Sequence, residues 1–130
     1  MSRENVELVQ GLLARFIATG HPTWDSLDEE IEAYDHDVVD AGKYKGHAGF
    51  AKWLENWDVA WADYTITPEE FVDVGEHVVS VFQMKATGRG SGVQVERRDA
   101  IVWRMRDGKV ARLDYYNDPG RALKAVGRQQ

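Results

Sequence analysis

Residues 76–106, "EHVVSVFQMKATGRGSGVQVERRDAIVWRMR", carry the strongest indication of how this chain folds. Their apolar side chains recur with a period of two, which is typical of β-strands. The glycine-rich segment 88–92 lies between the two halves, and clusters of this kind form tight turns. We therefore predict two antiparallel strands joined as a hairpin.

The flanking segments extend the same pattern. Residues 64–75 and 109–118 are also rich in β-forming side chains, and Gly75 and Gly108 mark the turns that join them to the central pair. The second half of the chain therefore predicts an antiparallel meander.

The first half favours helices. Apolar spacings of three and four predict a helix over residues 6–18 and another over 47–64, with a shorter helix after Thr23. A short strand is predicted at 30–37, and residues 119–130 form either a short helix or a frayed tail. One face of the helix at 47–64 is almost entirely aromatic, with Phe50, Trp53, Leu54, Trp57 and Trp61.

This order predicts an α+β fold made of one domain, residues 1–130. Helices segregated to one face of a curled antiparallel sheet form a two-layer structure whose concave side can enclose a cavity. A chain of 130 residues is long enough to bury a substantial core.

The charge and amino-acid composition of the chain indicate which kinds of molecule it can bind. The net charge is −6, and no basic cluster is present to neutralise phosphates, so nucleic acid is not expected. The chain has no cysteine, and its opening residues lack the apolar core of a signal peptide, which predicts a soluble cytoplasmic protein away from membranes. Five tryptophans and five tyrosines exceed what a core of this size needs, which favours a pocket or an interface.

At this point the chain resembles the SnoaL-like branch of the nuclear transport factor 2-like superfamily. The matching segments, in order, are "SRENVELV", "IEAYD", "YKGHAGFAKWL", "EEFVDVGEHVV", "GRGSG" and "VWRMRDGKVARLDYY". The resemblance implies a cone-shaped, curved antiparallel sheet with helices packed on its concave side around one deep apolar pocket. It also implies a homodimer joined through the sheet. Relatives include polyketide cyclases, steroid isomerases and epoxide hydrolases, so the fold alone does not identify a reaction.

Asp35 is the first candidate site residue. The resemblance places it where the steroid-isomerase-like members carry their general base, which takes a proton from the carbon next to a carbonyl. Alternatively, Asp35 accepts backbone N–H groups of the following loop. His36 is expected to be a solvated loop histidine, and Asp37 and Asp40 are interpreted as loop acids.

Arg97 and Asp99 form the second polar feature. They are two residues apart on a predicted strand and therefore share a face with Ile101 and Trp103. If that face lines the cavity, the pair could bind a carbonyl or carboxylate of a substrate. The alternative is a structural ion pair at the sheet edge.

Tyrosine and tryptophan take the place of groups that better-known relatives use. Leu13 and Ile101 stand where the steroid isomerases carry their oxyanion-binding tyrosine and aspartic acid, and Tyr115 stands where the epoxide hydrolases carry a carboxylate. Tyr115 shares a strand face with Leu113, while Asp114 and Tyr116 share the other. Further hydroxyl donors and aromatic walls for a ligand are Tyr34, Tyr44, Trp57 and Trp61.

The strand that begins the opening stretch is compatible with two orientations. Either Val79, Val81 and Gln83 face the cavity, or Val78, Ser80, Phe82 and Met84 do. Because both faces are apolar, a dimer partner is expected to cover the outer one.

These observations predict a protein that binds a small apolar or aromatic, oxygen-bearing ligand. If it is an enzyme, we expect acid–base chemistry of the isomerase or cyclase type without cofactor or metal, with Asp35 as base and a tyrosine such as Tyr115 as donor. The alternative is a non-catalytic ligand-binding or dimerisation domain, because the donors of the known relatives are missing.

Overall fold

The computed structural model describes residues 2–36 and 42–127. Asp37 and Asp40, interpreted above as loop acids, lie outside the described residues. In chain order the elements are α1 (Ser2–Thr19), a 3₁₀ turn (Trp24–Ser26), β1 (Leu27–Asp35), β2 (Lys43–Lys45), α2 (Gly46–Ala60), β3 (Trp61–Val74), β4 (His77–Gly88), β5 (Gln94–Arg106), β6 (Lys109–Tyr116) and α3 (Pro119–Ala125).

The six strands form one curved, unclosed sheet in the order β2-β1-β6-β5-β4-β3. The predicted hairpin is confirmed, since β4 and β5 pair antiparallel from His77 with Arg104 to Thr87 with Gln94. The predicted meander β3 to β6 is confirmed as well. Two pairings were not predicted. The short strand β2 pairs antiparallel with β1. On its other side β1 lies parallel to β6, which brings the first strand of the chain beside the last.

The two faces of the sheet pack against different partners. On the inner face, Val78, Phe82 and Met84 of β4 belong to the main core with side chains of α1 and α2. On the outer face, Val79 and Val81 belong to a second, smaller core that also contains Ala122 and Leu123 of α3. The structure thereby selects the second of the two orientations considered for this strand.

The last helix, α3, packs on the outer face. Its start is defined by Asp118, whose side chain accepts a hydrogen bond from the backbone N–H of Gly120, and by Pro119 in the first turn. Two corrections follow. The helices do not all pack on the concave side, and α3 rather than a dimer partner covers Val79 and Val81.

Two predicted boundaries were also wrong. The helix expected after Thr23 is only a single 3₁₀ turn, because Leu27 already belongs to β1 and pairs with Val110 of β6. Trp61 begins β3 instead of ending α2, because its backbone pairs with Gly88. In the described part of the chain, no helix has the length and apolarity needed to cross a membrane.

Candidate functional site

The parallel pairing of β1 with β6 places Asp35 beside Tyr115. The two residues are register partners, and both side chains point to the inner face, where the exposed fractions are 7% for Asp35 and 4% for Tyr115. Asp35 follows Ile31 and Ala33 on that face at intervals of two residues, as the period of a strand requires. A carboxylate and a phenol from opposite ends of the chain are therefore brought into one site.

Both residues line a cavity of about 240 Å³ at one end of the sheet, which we call the Asp35 cavity. Its walls come from β1, β2, α2, β3, β5, β6 and the segment after β6. The lining residues are Asp35, Tyr44, Trp53, Asn56, Trp57, Ala60, Trp61, Arg97, Tyr115 and Asn117.

Trp53 of α2 holds the Asp35 carboxylate. Its indole Nε1–H donates to Asp35 Oδ2 at 2.9 Å, and both side chains are buried. This hydrogen bond fixes the orientation of the carboxyl group. The sequence pattern predicted Trp53 only as part of the aromatic stripe, because nothing in the spacing identifies its partner on another strand.

Arg97, Asp99 and Tyr115 form a connected polar group next to Asp35. Arg97 Nε donates to Asp99 Oδ1 at 2.7 Å, and the Tyr115 hydroxyl donates a short hydrogen bond to Asp99 Oδ2. The Asp99 side chain is completely buried, and β5 is an internal strand of the sheet. The ion pair considered from the sequence is therefore present, but it lies on an internal strand and not at the sheet edge.

This arrangement keeps the Tyr115 hydroxyl protonated. Burial raises its pKa well above the ordinary value, and the charge and hydrogen bond of Asp99 raise it further. Burial lowers the pKa of Arg97, but the hydrogen bond and charge of Asp99 outweigh it and leave the pKa raised. The hydroxyl proton of Tyr115 is directed to Asp99, so Arg97 is the cationic donor that lines the cavity.

Tyr44 and Trp61 come from the two edge strands of the sheet, β2 and β3, and both line the Asp35 cavity. Asn56 Nδ2 donates to the Tyr44 hydroxyl at 3.2 Å, which leaves the phenolic hydrogen of Tyr44 available to another acceptor. Trp61 packs against Trp57 with ring centroids 6.2 Å apart. Asn56 and Asn117 were not predicted, because isolated exposed asparagines have no distinguishing sequence pattern.

A second, apolar cavity lies beside the Asp35 cavity, and we call it the inner cavity. It measures about 70 Å³, and Trp53, Trp57 and Tyr115 line both this inner cavity and the Asp35 cavity. The implied single deep pocket is therefore divided by three aromatic side chains. Four residues named from the sequence line the inner cavity and not the Asp35 cavity, namely Leu13, Ile101, Trp103 and Leu113.

Tyr34 lies away from both cavities. It is on the outer face of β1, where its hydroxyl donates to Glu32 Oε1 at 2.9 Å and the Arg112 guanidinium lies 4.1 Å from its ring centre. Because neighbouring residues of a strand point to opposite faces, Tyr34 and Asp35 cannot share a site.

His36 is not the solvated loop histidine that the sequence suggested. Its Nε2 lies 2.7 Å from Asp114 Oδ1, and its ring stacks on Tyr116 with centroids 4.4 Å apart. It belongs to a polar cluster on the outer face. Across residues 2–36 and 42–127 no group of three or more histidine or acidic side chains has the arrangement of a metal site.

Comparisons with known proteins agree with the fold. A family model described as a SnoaL-like domain matches residues 13–113. A search of curated proteins finds no match.

Solved structures with this fold cover almost the whole chain. An NTF2-like protein from Burkholderia xenovorans LB400 is 23% identical, with a TM-score of 0.75 over 97% of this chain and 98% of that chain. TerC co-crystallised with polyporic acid is 20% identical, with a TM-score of 0.75 over 95% and 98%. A protein from Catenulispora acidiphila DSM 44928 with a ketosteroid isomerase-like fold, in complex with trimethylamine, is 15% identical, with a TM-score of 0.69 over 90% and 92%.

Proposed function

The chain belongs to the SnoaL-like domain family, and on this basis we propose that it binds a small, mostly apolar, oxygen-bearing molecule in the Asp35 cavity and moves a proton on it without a cofactor. The observation that carries this proposal is a buried, oriented carboxylate facing the same cavity as a guanidinium. Pockets with a few convergent polar groups among aromatic walls are typical of small-molecule sites.

The proposed reaction begins when Asp35 takes a proton from the carbon next to a substrate carbonyl. The electron pair of the broken C–H bond moves into the carbonyl group and gives an enolate. The oxygen of the enolate is stabilised by the N–H groups of Arg97 that do not bind Asp99, because preorganised donors act where charge develops. Asp35 then returns its proton to a different carbon of the substrate, which gives an isomerase. In a cyclase, the enolate carbon attacks a second carbonyl, the electron pair of that C=O π bond moves to its oxygen, and the oxygen takes the proton that Asp35 holds.

Tyr115 and Asp99 support Arg97 in this scheme. Asp99 fixes the guanidinium at 2.7 Å and is itself held by the Tyr115 hydroxyl, so the cation cannot turn away from the cavity. The Tyr44 hydroxyl is a second donor to a bound oxygen, and Trp57 and Trp61 form the apolar wall. The inner cavity accepts a small apolar substituent of the substrate.

Similarity to ligand complexes supports a binding role for this cone. TerC was crystallised with polyporic acid, and the Catenulispora acidiphila protein was crystallised with trimethylamine. These proteins are only 20% and 15% identical to this chain, so the similarity extends to the fold and not to the ligand. The side chains that line the Asp35 cavity determine which ligand this chain binds.

A second candidate function is ligand binding without chemistry. The inner cavity is only about 70 Å³, and the hydroxyl proton of Tyr115 already has an acceptor in Asp99. In this alternative the Asp35 cavity holds a ligand through hydrogen bonds and aromatic contacts only, and the domain acts as a sensor or dimerisation unit.

The two candidates are separated by one experiment with a probe ketone. The protein is incubated with β-tetralone in D₂O, and loss of the α-proton signals is followed by NMR against buffer alone. Exchange faster than in buffer supports the proton-transfer function. If the indole signals of Trp57 and Trp61 shift while exchange stays at the buffer rate, binding without chemistry is favoured. Trp24, which lines neither cavity, is the internal control.

A further inference from the structure

Three cationic or potentially cationic side chains lie side by side on the outer face, away from the proposed active site. His77 of β4 is the register partner of Arg104 on β5, and Arg104 is the register partner of Arg112 on β6. They line a cleft of about 250 Å³ between the sheet and the end of α3, which we call the outer cleft. Its other lining residues are Val102, Asp114, Tyr116, Ala125 and Val126.

Such a row is unfavourable unless a negative charge compensates it. Directly opposed residues on neighbouring strands have Cβ atoms about 5 Å apart, and like charges at this distance destabilise the pair. The chain has 22 acidic residues against 16 lysines and arginines, so acidic partners are abundant overall. Which of the side chains His77, Arg104 and Arg112 are neutralised therefore depends on where the acidic side chains lie near the outer cleft.

Asp114 neutralises only one of the two arginines. Arg112 donates to Asp114 through Nε at 2.8 Å and through Nη2 at 3.0 Å, and His36 contacts the same carboxylate. Arg104 and His77 make no side-chain hydrogen bond or ion pair with any other residue in the described ranges. One full positive charge and one imidazole thus face the cleft without an acidic partner.

Two further cationic side chains belong to α3, although neither lines the outer cleft. The Arg121 guanidinium lies 5.5 Å from the ring centre of Tyr116, and Lys124 is in the last turn of α3. The backbone carbonyl groups at the end of α3 carry partial negative charge, but a helix of seven residues contributes little against these side chains. The outer cleft is therefore a positive site on a chain of net charge −6.

We propose that the outer cleft binds a small oxyanion, a phosphate or carboxylate group, between Arg104, Arg112 and His77. Guanidinium groups form paired N–H···O hydrogen bonds with such groups, and an imidazole N–H supplies a further donor. Arg112 keeps its remaining nitrogen, Nη1, for the ligand while Nε and Nη2 hold Asp114. This site is independent of the Asp35 cavity and lies on the opposite face of the sheet.

The test is an NMR titration of the full chain at constant ionic strength, with inorganic phosphate in one series and acetate in another. Amide signals around His77 and Arg104 are expected to shift and saturate in the wild type. Arg104→Gln is expected to weaken the apparent affinity roughly tenfold, since one charge-assisted hydrogen-bonded contact is lost. The series with the lower Kd identifies phosphate or carboxylate as the preferred group.

Arg98→Gln is the matched control. Arg98 is on the same face of β5, but its Nε donates to Glu69 Oε1 at 2.8 Å, so its removal should leave the affinity unchanged. Equal affinities for wild type and Arg104→Gln would overturn the proposal, as would shifts produced equally by chloride. A change of molar mass in Arg104→Gln with no anion-dependent shifts would also overturn it, because the face would then be an interface between copies of the chain.

Discussion

Asp35 and Tyr115 are register partners on the parallel strands β1 and β6, and both side chains line one cavity of about 240 Å³. The Tyr115 hydroxyl continues through Asp99 to Arg97, so a carboxylate and a guanidinium meet at the same small space. Of the four residues, only Arg97 and Asp99 are near each other in sequence. The pairing of the first strand with the last is therefore what brings Asp35 into the site.

The hydrogen bond from Trp53 to Asp35 is expected to be measurable in the free energy of unfolding. Trp53→Phe removes the indole N–H and should destabilise the protein by about 1–3 kcal/mol in urea unfolding, because a buried carboxylate loses a donor. In a double-mutant cycle with Asp35→Asn, the coupling energy should be at least about 1 kcal/mol.

Trp57→Phe provides the comparison for that cycle. Trp57 lines the same two cavities and contacts Tyr115 with ring centroids 5.1 Å apart. Its coupling with Asp35→Asn should stay within about 0.5 kcal/mol of zero. Equal coupling energies for the two tryptophans would show that the hydrogen bond has no specific effect.

The raised pKa of Tyr115 predicts a loss of stability in alkaline solution. The unfolded chain releases the tyrosine proton at the ordinary pKa of 10.0, whereas the folded chain retains it to higher pH. The unfolded state therefore binds fewer protons, and the free energy of unfolding should fall above about pH 10 by up to about 1.4 kcal/mol per pH unit. Urea unfolding at several pH values measures this slope.

Tyr115→Phe should make the slope shallower, although the buried hydroxyl contact with Asp99 is lost as well. Burial and the nearby Asp58 also raise the pKa of Tyr64, so some slope should remain. Tyr64→Phe is the control, because it removes a tyrosine with a raised pKa and leaves the Asp99 contact intact. It should reduce the slope less than Tyr115→Phe does. An unchanged slope in Tyr115→Phe would contradict the assignment.

Removing the apolar side chain of Leu123 tests whether α3 covers the outer face. Leu123→Ala should destabilise the protein by about 2–4 kcal/mol, because it leaves a cavity against Val79 and Val81. Ile17→Ala on α1, where the side chain is 44% exposed, should cost less than about 1 kcal/mol. Similar losses in the two variants would show that α3 is not packed on the sheet.

We also expect a homodimer in solution, joined through the part of the sheet that neither α3 nor the outer cleft occupies. Light scattering at micromolar concentration should return a mass near twice 14.8 kDa. A mass near that of a single chain would contradict this prediction.

The strand faces could be predicted from the sequence, since a period of two assigns Tyr115 and Leu113 to one face and Tyr116 to the other. The same rule separates Tyr34 from Asp35, although both were named as site residues. A strand around Asp35 was likewise predictable from the sequence pattern, although it spans Leu27–Asp35 and not residues 30–37.

Contacts between distant elements could not be predicted. The hydrogen bond from Trp53 to Asp35 depends on how α2 packs against β1. Trp61 fits the helical spacing of α2, although its backbone pairs with β4 as part of β3. The amphipathic pattern of α3 is only seven residues long, too short to show which side of the sheet it covers.

If Asp35 is the base, Asp35→Asn and Glu32→Gln should differ in how fast the protein exchanges the α-protons of β-tetralone in D₂O. Glu32 is on the same strand but on the outer face, where it contacts Tyr34 and Lys43. We predict that Asp35→Asn lowers the exchange rate at least about 100-fold with little change in Kd, and that Glu32→Gln matches the wild type. Exchange by Asp35→Asn at the wild-type rate would contradict the account.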